Sequence, residues 1–161
     1  MIISNLPPLE INKTCSLTGH RDIPPDFDFL KLKNSLKKIA DDGYKIFLVG
    51  MAKGFDLLCF SALLSLKEEN PEIKICAVIP CSDQSKNFGK EDKVLYNECV
   101  ARADYVAKEE NPYFKNCMLI RDDYLVDNSS CLFAYYDGRR SGGTYYTLNK
   151  ALKKGLKIIY F

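Results

Sequence analysis

Short apolar runs alternate with longer amphipathic stretches from one end of the chain to the other. The runs at residues 14–18, 46–49, 73–79, 105–107, 131–136 and 156–161 have the length and side-chain character of strands. Between the first two, Phe29, Leu32, Leu36, Ile39 and Ala40 recur at helical spacing, Lys31, Lys33, Lys37 and Lys38 face away, and Gly43 stops the helix. Residues 55–66 are apolar nearly all round, which predicts a helix buried against the sheet and against a neighbouring helix or a second subunit. Three more helices are expected over residues 91–103, 118–128 and 144–154, the last with Gly155 as its C-cap residue.

Six strands joined by helices predict an α/β chain: a three-layer, Rossmann-like, doubly wound parallel sheet of order 3-2-1-4-5-6, built by right-handed crossovers. With 161 residues the chain has room for one such domain, spanning 1–161, and no repeat or linker divides it. In an open parallel sheet, ligands bind beyond the carboxyl ends of the strands. Three loops at that edge combine glycine with basic residues. They are Thr18-Gly19-His20-Arg21, then Gly50-Met51-Ala52-Lys53-Gly54, and then the loop holding Gly138, Arg139, Arg140, Gly142, Gly143 and Thr144.

Glycine lets backbone approach an anion, and the free N–H groups and dipole of a helix start favour negative charge. Gly142-Gly143-Thr144 is the best placed of the three, directly between a strand and a helix, with Thr144 able to cap that helix or to donate its hydroxyl to a phosphate oxygen. A single such loop is equally well read as a tight turn; three on one edge favour a ligand site. Neither G-x-G-x-x-G nor G-x-x-x-x-G-K-[ST] occurs, so the grip differs from those of ordinary NAD domains and nucleoside triphosphatases. His20, the only histidine, has no companions for a metal and is read as binding a ligand or orienting its loop.

Charge and composition narrow the partners. Lys and Arg number 23 against 21 for Asp and Glu, and a net charge of +2 gives no field suited to bulk nucleic acid or a membrane. There is no long uncharged apolar stretch and residues 1–8 lack the pattern of a secretion signal, so a cytoplasmic protein is expected. The seven cysteines are odd in number, lack C-x-x-C spacing, and are read as reduced small hydrophobes; Cys81, after Pro80, is the one that could be exposed. Among the acids, Asp122 and Asp123 read as helix-surface residues, Asp127 as a helix-end residue and Asp56 as a helix-dipole partner. Tyr145, in phase with Leu148 and Leu152, reads as core, and Tyr146 as freer.

The ordered set Ser16-Leu17-Thr18-Gly19-His20-Arg21, Gly50-Met51-Ala52-Lys53-Gly54-Phe55-Asp56-Leu57, Arg121-Asp122-Asp123-Tyr124-Leu125-Val126-Asp127 and Tyr136-Asp137-Gly138 with Gly142-Gly143-Thr144 resembles the YpsA-like family of the SLOG superfamily, the group of Smf/DprA and LOG proteins. The resemblance implies a Rossmann-like domain that binds a nucleotide or a nucleotide derivative, such as one containing ADP-ribose, with phosphate at the loop near Gly142, in a binding or sensing role. It names no certain cofactor and leaves a bound nucleotide as the candidate. A homodimer and an unidentified protein partner are further candidates.

The LOG branch, nucleotide N-glycoside hydrolases, is similar in carrying an arginine matched here by Arg121. It also follows its glycine loop with a glutamate, where this chain has Tyr145-Tyr146-Thr147, and it has a lysine where this chain has Asp122. An enzyme of that type would have to draw on Arg121 with Asp56 or Asp122, because cleaving a glycosidic bond calls for a carboxylate. By analogy with the DprA branch, single-stranded DNA binding is a third reading, with Arg21, Lys53, Arg139 and Arg140 tracking phosphates.

Overall fold

The computed structural model describes the backbone of Ile3 and Ser4 and all of residues 9–161. The remainder of the 1–8 segment, read above for a secretion signal, lies outside the described residues. Seven strands form one sheet: β1 (Ile3–Ser4), β2 (Thr14–Gly19), β3 (Ile46–Val49), β4 (Lys74–Ile79), β5 (Tyr105–Lys108), β6 (Cys131–Tyr135) and β7 (Lys157–Tyr160). Their spatial order is β1-β5-β4-β3-β2-β6-β7. All pairings are parallel except that of β1, which runs antiparallel along β5. Counted from β2, the six parallel strands lie 4-3-2-1-5-6. This is the expected style of doubly wound sheet, reversing at its first strand, with the fourth strand extending the first half.

The alternation of side chains along β2 and β6 shows how the layers arise. Cys15, Leu17, Cys131 and Phe133 face one side and join a core with Phe47, Val49, Ile75 and Ala77. Three helices cover that side: α1 (Phe29–Asp41), α2 (Phe55–Glu69) and α3 (Lys90–Arg102). On the other side, Leu48, Cys76 and Val78 meet Leu125, and Leu132 and Ala134 meet Val126, Leu148 and Ala151. Those partners come from α4 (Cys117–Asp127) and α5 (Gly142–Lys154).

Helix starts and stops follow local chemistry. Asp28 caps α1, its carboxylate accepting the Lys31 N–H at 2.9 Å. Gly155 ends α5 in the left-handed conformation at φ 79°, as its C-cap position predicts. Helix α2, apolar on every face, is covered within the chain: α1 and α3 pack on its flanks and the sheet lies beneath it. Its first residue, Phe55, is fully buried among Phe27, Phe133, Tyr135 and Phe161. Burying such a side chain contributes about 1.5–3 kcal/mol.

The reading of the cysteines as small hydrophobes holds even at Cys81, while one sequence expectation about burial, that for Tyr145, is corrected. Cys81 is 1% exposed, because the segment after β4 folds back in successive turns, with the Gln84 N–H bonded to the Cys81 carbonyl, and seals the thiol; burial pushes its pKa up to about 12. In α5 the buried stripe is Thr144, Thr147, Leu148 and Ala151. Tyr145 is therefore only half-buried, stacked on Tyr136 at 6.4 Å, and Leu152 is exposed. Sharing of phase with Leu148 could not reveal that the sheet-facing side lies one turn-step away.

Candidate functional site

At the reversal point, the strands β2 and β6 lie side by side with registers running from Cys15 opposite Cys131 to Gly19 opposite Tyr135. Their carboxyl ends and the loops that follow frame a cleft of ≈ 440 Å³. The β2 end contributes Thr18, Gly19, His20 and Arg21; α2 contributes Asp56; α4 contributes Arg121 and Asp122; and the start of α5 contributes Gly142, Gly143 and Thr144. These ten residues singled out in the sequence thus meet at one place, and Arg139 joins them in the lining. Gly50, Lys53, Gly54, Gly138 and Arg140 lie outside it.

The rim is a helix start. Helix α5 has Ser141 as N-cap residue, no side chain caps it, and its first turn holds no acid. Gly142 adopts φ +88°, a left-handed conformation that glycine alone reaches without strain, and open space surrounds its Cβ position. Among the described residues, no protein acceptor takes the amides of Gly142, Gly143 or Thr144, so these donors and the positive end of the helix dipole are presented to the cleft.

The floor is charged and buried. Arg121 donates from Nε to Asp122 Oδ1 at 2.7 Å and from Nη1 to the carbonyl of Gly50, with side chains 7% and 6% exposed across the ion pair. Asp56 accepts the Ala52 N–H on Oδ2 at 3.1 Å. Gly50 is where it is because a side chain there would collide with this group: a Cβ would stand 2.8 Å from Arg121 Nη1 and 3.0 Å from Asp56 Oδ2. Burial pushes Asp56 from the usual 3.8 up to about 6, opposed by Arg121 and by the Ala52 N–H. Burial also raises Asp122, with Arg121 opposing it.

These acids correct the surface reading of Asp122. Helix α4 packs against α5 and the sheet at once, so Asp122 turns inward beside Arg121 while Asp123, half-buried, accepts the Tyr146 hydroxyl at 2.7 Å and pairs with Lys150. Only Asp127 stays at the surface, paired with Lys154.

The loops are tied together over the cleft. Arg139 reaches Asp22 with both terminal nitrogens, at 3.2 and 3.1 Å, and also holds Asp137, whose carboxyl is pulled down to about 2 mainly by that contact. His20 is buried and accepts the Asp137 N–H on Nε2 at 3.1 Å, its ring edge-on to Tyr135, which ties the end of β2 to the loop after β6. Asp22, Met118, Leu119 and Ser141 also line the cleft. No loop motif marked them, and the pairing of Asp22 with Arg139 across 117 positions leaves no local signal. Among the described residues, no cluster of three or more His, Cys, Asp or Glu side chains is arranged to hold a metal ion.

Comparison with known proteins adds the following. The family model named YpsA, described as the YspA SLOG family, matches residues 22–160. The UPF0398 protein YpsA of Bacillus subtilis is 28% identical over 125 residues, covering 76% of this chain and 69% of that protein. A UPF0398 protein of Lysinibacillus sphaericus is 27% identical over 124 residues, with the same coverage of each. Among solved structures, DNA processing protein A of Streptococcus pneumoniae superposes with TM-score 0.65 at 18% identity over 92% of this chain and 50% of its own. DNA processing protein A of Helicobacter pylori, described with a single-stranded DNA binding mode, gives 0.68 at 17% identity over 95% of this chain and 65% of its own. The chain thus spans half to two thirds of those structures, and at these identities the likeness concerns the fold.

Proposed function

The chain belongs to this YpsA family of SLOG proteins, and from that premise we propose that it binds a phosphate-bearing nucleotide or nucleotide derivative in the cleft, in a binding or sensing role. The observation that carries the reading is the uncapped start of α5 opening into the cleft above a buried arginine. Phosphate takes the amides of Gly142, Gly143 and Thr144, exposed Arg21 adds charge at the rim, and the sugar and base extend into the cavity. Lys53 lies outside the lining.

A second reading, cleavage of a nucleotide N-glycosidic bond, is favoured by one observation. Asp56 is a buried cleft carboxyl whose pKa of about 6 suits proton transfer near neutrality. General acid–base help is worth ~10²–10⁴-fold in rate, so its presence or absence decides between turnover and mere binding.

One incubation tests both. Thermal unfolding is followed with AMP, ADP, ADP-ribose and NAD, and the same samples are analysed for free base by chromatography. A binder at a hundred times its Kd stabilises the fold by about 2.7 kcal/mol, so a clear rise in Tm is expected with at least one compound, without base release. Gly143→Val, whose branch presses toward Asp122 Oδ2 and into the phosphate position, is expected to lose the rise. No rise with any compound, or an equal rise in the variant, overturns the reading; steady base release replaces it with the hydrolytic one.

A further inference from the structure

The floor of the cleft holds two carboxylates against one guanidinium, and its hydrogen bonds do not use all of their atoms. Asp122 Oδ1 takes Arg121 Nε, the Gly50 carbonyl takes Nη1, and Asp56 Oδ2 takes the Ala52 N–H. Asp56 Oδ1 and Arg121 Nη2 are left without a hydrogen bond among the described residues. Ser130 Oγ is the one side-chain polar atom among the described residues that is both sealed from solvent and unpartnered. Asp56 Oδ1 and Arg121 Nη2 are therefore open to the cleft that both residues line, although each residue is only 5% exposed. The two side chains are also neighbours, since Arg121 Nη1 and Asp56 Oδ2 both press on the Cβ position of the same Gly50.

The floor thus offers a charged acceptor beside a charged donor, within a group whose other member is a second carboxylate. A phosphate is repelled by the two acids, and an ammonium by the guanidinium. A hydroxyl satisfies both, since it donates to Asp56 and accepts from Arg121, and an adjacent pair of hydroxyls uses the two sites together. The hydroxyls of Thr18 and Thr144, each 7% exposed and lining the cleft without a hydrogen bond among the described residues, add neutral partners.

Position along the ligand identifies the hydroxyls. Asp122 Oδ2 lies 3.3 Å from where a Cβ on Gly143 would stand, so the floor begins directly under the phosphate loop. In a nucleotide the group next to the phosphate is the sugar, and the base comes after it. We infer that the Asp56–Arg121 floor reads the ribose diol of the bound nucleotide, so that the ligand is a free ribonucleotide and deoxyribonucleotides, DNA included, are rejected. This rests on the nucleotide reading above and narrows it. A 2′-hydroxyl is the feature by which a site separates ribose from deoxyribose, and a pocket built to bond it leaves a buried charge unpaired when it is missing.

The experiment compares pairs that differ by that hydroxyl alone: AMP with 2′-deoxy-AMP, and ribose 5-phosphate with 2-deoxyribose 5-phosphate, by calorimetric titration of the whole chain. The ribose member of each pair is expected to bind roughly 10- to 100-fold tighter, the loss of one hydrogen bond to a charged group. Asp56→Asn, whose carbonyl keeps the Ala52 N–H and whose amide puts a donor where Oδ1 accepted, is expected to narrow that gap to a few-fold. Equal binding of AMP and 2′-deoxy-AMP by the parent chain overturns the inference while leaving nucleotide binding in place, and so does an Asp56→Asn chain that keeps the full gap. If none of the four probes binds, the inference falls, and the nucleotide reading falls with it unless ADP-ribose or NAD still raises the Tm. The comparison on the parent chain is decisive even if the variant does not fold.

Discussion

Asp56 is the residue whose environment departs most from what its neighbours in sequence suggest. At the start of a helix an aspartate is ordinarily held ionised by the dipole. Here burial wins, moving the carboxyl from 3.8 to about 6 against the pull of Arg121 and the Ala52 N–H. A raised carboxyl favours the protonated folded state, so its contribution to stability is fully present below the unfolded value near 4, declines as pH rises through that interval, and is gone above about 6. Asp56→Asn removes the dependence. Urea unfolding of both chains at about pH 4 and about pH 8 is expected to show the parent losing about 2–3 kcal/mol more than the variant across that range. A parallel loss in both would mean that Asp56 titrates as an ordinary surface acid.

The helices and strands were largely legible from hydrophobic spacing, because each buries one recurrent face; α1, for instance, buries Leu32, Leu36, Ile39 and Ala40 as its pattern predicts. What escaped depends on contacts distant in sequence. Asp122 is inward only because α4 packs on α5, and two-residue β1 has no pattern of its own. The cleft was half legible. Glycine, arginine and threonine marked the strand ends, whereas the lining by Asp22 and Ser141 and the exclusion of Lys53 follow from how the loops close. One joint between elements is especially tight. Gly54, at φ +83° just before α2, lies against the backbone of Arg21, so any side chain there is strained and also meets main chain that cannot move aside. Gly54→Ala is expected to cost about 3 kcal/mol, seen as a lowered urea midpoint with an unchanged slope. A cost below about 0.5 kcal/mol would show that the two loops are not held in register by this contact.

Over the whole molecule, charge is nearly balanced at +2, and much of the basic character near the cleft is already engaged. Arg139 is bound to Asp22 and Asp137, and Arg121 to Asp122, which leaves Arg21 as the cation of the lining without an ion pair among the described residues. A ligand contacting one or two phosphates should therefore show a shallow salt dependence. Titrating AMP between low and high salt is expected to give a log–log slope of about −1 to −2, and a single-stranded oligonucleotide should bind no better. A slope near −4 for the oligonucleotide would instead mark a chain that tracks a nucleic-acid backbone with many cations. No helix among the described residues is long and apolar enough to cross a membrane.

All seven thiols are buried, and they are spread across the architecture: Cys15 in β2, Cys59 in α2, Cys76 in β4, Cys81 just beyond it, Cys99 in α3, Cys117 in α4 and Cys131 in β6. Burial raises Cys15, Cys59, Cys76, Cys81 and Cys99, so the nucleophilic thiolate is scarce at those sites as well as inaccessible. The folded chain is consequently quiet toward alkylating agents, and a thiol reacts only when the element that carries it opens. Because both helical layers and the sheet each hold at least one, the protein contains its own set of fluctuation reporters, with Cys117 beside the cleft wall recording how often that wall breathes and Cys15 recording the rarer opening of the sheet centre.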